Sequence, residues 1–256
     1  MKARMMLMRT GMKKGFSSKY ALMFYLVSAL ITITMQYFLW KAVLIGKADV
    51  VFKQTISYLV LMQFMNLIFP KSSYDLNDEV QSGDISLTLL KPMSLSTKLF
   101  WEGVGFSIAK IIVIGFVEII IYFLLTPTVF TIFSLLMVLI TMILAYILYF
   151  ELELILGAFS FYTYSIWGIT TLKSAILLIF SGNLFPLNYY PAIIRKIAEV
   201  LPFQYSFGSV GMVIENNNWG NFWNVITMQL IYIVIFRIVY KLMMKHSIKS
   251  IVIQGG

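Results

Sequence analysis

The chain has 256 residues, of which 60% are hydrophobic and only 12% charged, with a net charge of +9 and a mean hydropathy of +0.86. Soluble domains carry roughly 25% charged residues, so this composition excludes an ordinary soluble fold and makes the number of membrane crossings the question. Cysteine is absent and the one histidine, His246, lies in a basic tail with Lys241, Lys245 and Lys249, which excludes disulfides, thiolate metal sites and cysteine nucleophiles and leaves no histidine set for a metal cluster or a catalytic triad.

In a soluble protein the positive balance would suggest nucleic acid. In a membrane protein, Lys and Arg collect on cytoplasmic loops, so lipid rather than nucleic acid is the expected partner. Residues 1–19 carry six basic residues and no acidic one. Met5, Met8, Met12 and Phe16 recur at helical spacing, Lys2, Arg9 and Lys13 lie beside them, and Arg4 belongs to the same stretch. The pattern predicts an amphipathic helix lying on the membrane surface. Gly11 weakens it, and a disordered basic flank is the alternative.

The apolar run over 20–44 is too long for a signal-peptide core and no small-residue cleavage site follows. It reads as a first span. A short outer loop with Lys41, Lys47, Asp49 and Lys53 follows, then a second span over 54–70. Gln63 and Asn66 make that span polar for lipid, so it is expected to pack inside the bundle. Residues 71–102 form a long polar segment with five of the eleven acidic residues. Further spans are expected over 103–125, 129–160, 168–186 and 223–243. Thr126-Pro127-Thr128 reads as a tight outer turn. An outer segment, 187–222, holds Pro191, Pro202 and the run Asn216-Asn217-Asn218. The whole chain reads as one all-α membrane domain with six transmembrane helices. Lys and Arg number twelve on the proposed inner segments and five on the outer ones, which places both termini in the cytoplasm.

The 71–102 segment predicts a short acidic helix. Ser72 or Ser73 can N-cap it, Asp75, Asp78 and Glu79 suit its positive end, and Gly83 is a natural stop. Leu76 and Val80 share a face, and Leu87-Thr88-Leu89-Leu90-Lys91-Pro92 reads as extended chain returning to the membrane. The helix is either an ordinary solvated loop element or a docking element for a cytoplasmic partner.

Two motifs favour docking. Gln81-Ser82-Gly83-Asp84-Ile85 followed by Leu89-Leu90-Lys91-Pro92 resembles permease subunits of type-2 ABC exporters, which carry an R/Q-S-G-(D/E)-I turn and an L-L-(R/K)-P segment after the second span. Ser181-Gly182-Asn183-Leu184-Phe185-Pro186-Leu187, leading through Pro191 to Leu201-Pro202-Phe203, resembles the family's signature after the fifth span. The order of these motifs covers nearly the whole chain. The resemblance implies a transport subunit without its own ATPase site, and the chain has no Gly-x-x-x-x-Gly-Lys-Ser/Thr loop. ATP and Mg would belong to a separate cytoplasmic ABC ATPase, a dimer, docked on the Ser73–Ser82 helix (Ser73, Tyr74, Asp75, Leu76, Asp78, Glu79, Val80) and on the N-terminal helix. A second permease, identical or related, would complete the path across the plasma membrane, and the substrate is expected to be amphipathic: a drug, peptide or lipid-like molecule. A lipid-linked polysaccharide permease and a non-transporting immunity or sensor protein are the alternatives. An intramembrane enzyme is disfavoured, since no span holds a His or Cys or a paired-Glu motif with a nearby Arg.

Residues 191–201 read as a short helix with Ile193, Ile194, Ile197 and Val200 on one face and Arg195, Lys196 and Glu199 opposite, too short to cross the bilayer. It is expected to dip into or lie on the outer leaflet. Ionisable groups inside spans are Lys110, Glu118, Glu151, Glu153 and Lys173, and such groups are usually paired and functional. With a turn near residue 163, Glu153 and Lys173 fall at similar depth on neighbouring helices and are expected to form an ion pair, with Glu151 as the alternative partner. Arg237 is expected to snorkel to the inner interface. Phe161, Tyr162, Tyr164 and Trp167 read as an interfacial aromatic belt.

Overall fold

The structure, a computed structural model, describes residues 2–125, 131–216 and 219–254. The turn expected at Thr126-Pro127-Thr128 and most of the Asn216–Asn218 run lie outside these residues. The described chain is helical, with no strand among the described residues. Helix α1 spans Lys2–Ser17, α2 Lys19–Val43, α3 Asp49–Ile68, α4 Ser72–Ser82 and α5 Ile85–Leu89. Helix α6 (Leu95–Lys110) runs through a π-helical turn, Ile111–Gly115, into α7 (Phe116–Leu125). Then come α8 (Ile132–Ala158), α9 (Trp167–Phe180), α10 (Ala192–Val200), α11 (Pro202–Ser206), α12 (Gly208–Asn216) and α13 (Trp219–Gln254).

Among the described residues, four helical runs are long and apolar enough to cross a membrane: Lys19–Val43, Leu95–Leu125, Ile132–Phe161 and Trp219–Ser247. Each exceeds the ~20 residues a crossing needs. Their outward faces are apolar, as lipid demands; Phe24, Phe38, Ile143 and Leu242 are all exposed.

Helix α3 differs. It is 20 residues long but carries Asp49, Lys53, Gln54, Gln63 and Asn66, and nine of its residues are buried. Its neighbours take up part of its polar side. Ser57 donates to the Tyr122 hydroxyl at 2.7 Å, and Thr55 meets the Tyr189 hydroxyl at 3.1 Å. Tyr58, Leu59, Met62 and Met65 form the centre of the main core with Trp40, Val138, Tyr149 and Phe207.

Several expectations shift: α3 begins at Asp49 rather than residue 54, so Asp49 and Lys53 belong to the helix and not to a loop, and α13 runs well past residue 243. The third span begins at Leu95 rather than near Gly103, because Ser94 caps the helix: its side chain accepts from the Thr97 N–H at 3.3 Å. The segment after Gly83 is a short helix over Ile85–Leu89 rather than extended chain. Ile85 and Thr88, three apart, both turn inward, and that burial fits a helical period and not a period of two. Helix α9 is only 14 residues, about 21 Å long at 1.5 Å per residue. It stops short of a full crossing, and the chain bends at Ser181-Gly182, where Gly182 adopts φ 76°, a backbone conformation open to glycine.

Candidate functional site

The acidic helix α4 forms where expected and ends at Gly83, whose φ of 80° is the left-handed C-cap geometry. Its start is not a serine cap. Lys71 occupies the N-cap without a side-chain bond, and Ser72 and Ser73 are the first two helical residues. The cap comes instead from α8. Glu153 Oε2 accepts from the Ser73 N–H at 3.1 Å and from the Ser73 hydroxyl at 2.5 Å. A first-turn N–H has no partner within its own helix, and a carboxylate suits the positive helix end.

The other oxygen of Glu153 takes Lys173 Nζ of α9 at 2.5 Å, and the same ammonium donates to the Tyr149 hydroxyl at 3.2 Å. The carboxylates do not reach for the interface: Glu151 and Glu153 are both buried. Tyr74 adds a second link to α9, its hydroxyl 2.9 Å from that of Thr170. Close approach of α4 to α8 depends on Gly157. A methyl group there would lie 3.0 Å from Leu76 Cδ2 and 3.1 Å from Ser73 Cα. Leu76 is fully buried among Leu95, Leu99, Phe150, Leu154 and Tyr240.

Two further ion pairs hold α4. Lys98 at the start of α6 meets Glu79 at 2.5 Å, with both side chains mostly buried, and Lys14 of α1 meets Asp75 at 2.6 Å in a more open setting. Burial disfavours the Lys14 charge, but the bond to Asp75 and the fields of Asp75, Glu102 and Asp78 outweigh it and hold the ammonium pKa above its ordinary value. Of the docking residues expected from the sequence, Ser73, Tyr74, Asp75, Leu76 and Glu79 are therefore engaged within the chain, Tyr74 through its hydroxyl alone, and Val80 packs against the Leu76 cluster. Tyr74, Asp78 and Gly83 face outward with Gln81 and Ser82. The Leu87 and Leu90 side chains, 63% and 82% exposed, extend this surface.

Helix α1 forms, and the side buried against the protein is a pair of glycines. Met5 and Phe16 face outward with Arg4, Arg9 and Lys13, while Gly11 and Gly15 are buried and Met8 and Met12 half-buried. The helix lies on α6. A methyl at Gly11 would sit 2.0 Å from the Glu102 carbonyl oxygen, one at Gly105 2.0 Å from that of Met8, and one at Gly15 2.6 Å from Ala109 Cβ. Gly11-x-x-x-Gly15 meets Gly105-x-x-x-Ala109, a small-residue crossing that lets backbones touch. The glycine that weakens α1 by intrinsic propensity is where the helix docks. That spacing was visible in the sequence.

The remaining intramembrane charges separate. Arg237 does not reach for the interface alone. Its Nη2 lies 2.5 Å from Glu151 Oε1, although neither Glu151 oxygen accepts a well-directed hydrogen bond among the described residues. Without Arg237 the buried Glu151 would be left as an uncompensated charge. Lys110 donates to the Phe69 carbonyl at 3.4 Å and lies over the Phe106 ring. Glu118, beyond the π turn, has no hydrogen-bond partner for either oxygen among the described residues.

On the other side of the bundle, the Gly182 carbonyl accepts from the Tyr58 hydroxyl at 2.6 Å, and Asn183 pairs with Asn66 at 2.6 Å. Pro186 is buried and starts the climb to Tyr189. Pro191 sits at the N-cap of α10 rather than inside it, and Arg195 bridges to Glu199 at 2.9 Å. Ile193, Ile197 and Val200 stay exposed while Ala198 faces the bundle. Pro202 opens α11, and Phe203 packs against the main core. Phe207 then reaches Phe69 and Tyr149, with ring centroids 4.8 and 5.9 Å away. Tyr162, Tyr164 and Trp167 are exposed where the chain passes from α8 to α9.

No curated protein sequence matches the chain significantly. Residues 45–255 match the family model described as ABC-2 family transporter protein. That match takes in α4, the charged network of α8 and α9, the segment from Pro186 to Asn216 and α13, and with it the chain belongs to the ABC-2 transporter family as a membrane permease.

Proposed function

We propose that this permease is the membrane-spanning half of an ATP-driven exporter and that α4 is where a cytoplasmic ATPase docks. The observation that carries the reading is the way α4 is held. One short helix outside the long apolar runs is tied by hydrogen bonds or ion pairs to α1, α6, α8 and α9 at once. A force applied to its free face is delivered to four helices without passing through a flexible loop. A solvated loop helix needs no such set of buried anchors.

The free face is Asp78, Gln81, Ser82 and Gly83, with α1 beside it through Lys14–Asp75. Both termini and α4 lie in the cytoplasm in this reading, supported by the distribution of Lys and Arg. Helix α3, about 30 Å long, is a further crossing. Helix α9 is another, completed by the chain that bends at Gly182, and together they make six. Two permeases, identical or related, form the path, and ATP and Mg act in the partner. The cargo is amphipathic. The single-domain division into the six spans, the 71–102 coupling segment and the 187–222 outer segment belongs to the same proposal.

Co-purification tests the docking claim. The full chain, purified from its native membranes, should retain an ABC ATPase subunit through purification. Asp78→Lys with Gln81→Lys should release it while leaving the permease folded. Retention of the ATPase by the double variant contradicts docking at this face.

A further inference from the structure

A cavity of about 150 Å³ lies where α1, α2, α6 and the start of α4 meet. Its wall holds two cations, Lys14 and Lys71, and two carboxylates, Asp75 and Glu102, with the rings of Tyr25 and Phe106 among them. Tyr25 belongs to the long apolar run of α2 and is exposed there together with Tyr20 and Phe24, so the cavity borders lipid.

Two of the four charges satisfy each other: Lys14 and Asp75 pair at 2.6 Å. The other two do not. The Glu102 side chain, half-buried on α6, makes no hydrogen bond or ion pair among the described residues. Lys14 and Lys98, whose fields reach it, are bonded to Asp75 and Glu79 instead. Lys71 meets no carboxylate among the described residues. Its ammonium lies over the Tyr25 ring, 5.6 Å from the centroid. A free acid and a free base thus share one small cavity at the edge of the bilayer.

We propose that this cavity binds the head group of a zwitterionic aminophospholipid, with the phosphate at Lys71, the primary ammonium at Glu102 and the acyl chains in the bilayer beside α2. Lysine and phosphate form a charge-assisted hydrogen bond, and a half-buried carboxylate gains from a cation that donates to it. The charges on the wall cancel, so a head with both signs fits where a purely anionic head would face Asp75 and Glu102. The amine is primary because an ammonium has N–H groups to donate and a trimethylammonium has none. The rings that could cage a quaternary nitrogen are already taken, Tyr25 by Lys71 and Phe106 by Lys110. The volume takes roughly five water-sized groups at ~30 Å³ each, which suits a compact head. Such a lipid touches α1, α2, α4 and α6 together, and its binding does not depend on the docking of an ATPase.

Native mass spectrometry of the full chain in nonionic detergent tests it, with dioleoyl lipids that differ only in the head: phosphatidylethanolamine, its N,N-dimethyl derivative, phosphatidylcholine and phosphatidylglycerol. One ethanolamine lipid should bind about tenfold tighter than the choline or glycerol lipid, the worth of one hydrogen bond to a charged group. Affinity should fall as methyl groups are added to the nitrogen. Glu102→Gln should bring the ethanolamine lipid down to the choline level, and Lys71→Ala should weaken the ethanolamine and choline lipids alike. Both variants are checked for an unchanged gel-filtration profile, and the methylation series needs neither of them. Equal affinity for the ethanolamine and choline lipids in the wild type, tightest binding of the glycerol lipid, or an undiminished ethanolamine preference in a folded Glu102→Gln overturns the proposal and leaves the exporter reading standing.

Discussion

Glu153 of α8 caps the first turn of α4 by accepting both the backbone N–H and the hydroxyl of Ser73. A membrane helix thus supplies the cap of a helix outside the long apolar runs. The same carboxylate holds Lys173 of α9, so one buried group joins three helices. Breaking a buried pair costs ~3–5 kcal/mol because a lone charge is left behind. Glu153→Gln should lower the thermal unfolding temperature in detergent more than Lys173→Met, which leaves Ser73 and Glu153 bonded. The exchange Glu153→Lys with Lys173→Glu should rescue only in part. It restores the ion pair but sets an ammonium opposite the Ser73 N–H. Full rescue would show that the cap contributes little.

The crossing of α1 and α6 has no room for side chains at Gly11 or Gly105. Gly11→Leu should detach α1, at a cost of about 1–3 kcal/mol for overpacking. A cysteine placed at Met8, half-buried in the wild type, should then react faster with a water-soluble maleimide. The chain has no native cysteine, so the rate is read without background. Gly168→Ala is the control: nothing lies within 4 Å of the added methyl, and a helical glycine replaced by alanine gains roughly 0.5–1 kcal/mol. An unchanged Met8→Cys rate in Gly11→Leu would place α1 elsewhere.

The two ion pairs on α4 should differ in weight. Lys98–Glu79 has side chains 18% and 15% exposed, against 65% and 38% for Lys14–Asp75. Exposed pairs contribute about 0–1 kcal/mol and weaken with salt. Lys98→Ala should speed hydrogen exchange of the α4 amides more than Lys14→Ala, and only the effect of Lys14→Ala should fade in high salt. The raised Lys14 pKa also fixes a sign. Its contribution is present at pH values below the ordinary lysine pKa and is lost as pH rises through the higher folded value.

At the bend after α9, Gly182 combines a φ of 76° with a methyl position 2.7 Å from the Tyr58 hydroxyl oxygen. Gly182→Ala should be more damaging than Tyr58→Phe, which removes the bond to the Gly182 carbonyl at about 0.5–1.5 kcal/mol. The order of the two unfolding temperatures checks this, and the reverse order would show that the bend tolerates a side chain.

The four long runs were legible because ~20 apolar residues in sequence have few other destinations. Gly83 was legible as a stop for the same local reason. The Glu153–Lys173 pairing followed from counting depth on either side of one turn. Arg237–Glu151 did not, because α13 and α8 are not consecutive and no turn sets their register. The Ile85–Leu89 helix was hidden by its own alternation, Ile-Ser-Leu-Thr-Leu, which reads as extended chain until the burial of Ile85 and Thr88 is known. The start of α6 was hidden by Lys98 and Glu102, which look like loop residues but face Glu79 and α1. Gly11 weakens α1 by propensity but lets it touch α6, a packing role that one helix alone does not display.

The central claim is that the outward face of α4 meets an ATPase. Asp78→Cys, labelled with a short bifunctional cross-linker in membranes that also hold the partner subunit, tests it most directly. The account predicts a cross-linked product containing a protein with a phosphate-binding loop, formed at Asp78→Cys and absent at the outer-segment position Ile193→Cys. A folded Asp78→Cys permease that yields no such product beside an abundant ATPase, or yields it equally from Ile193→Cys, would contradict the account.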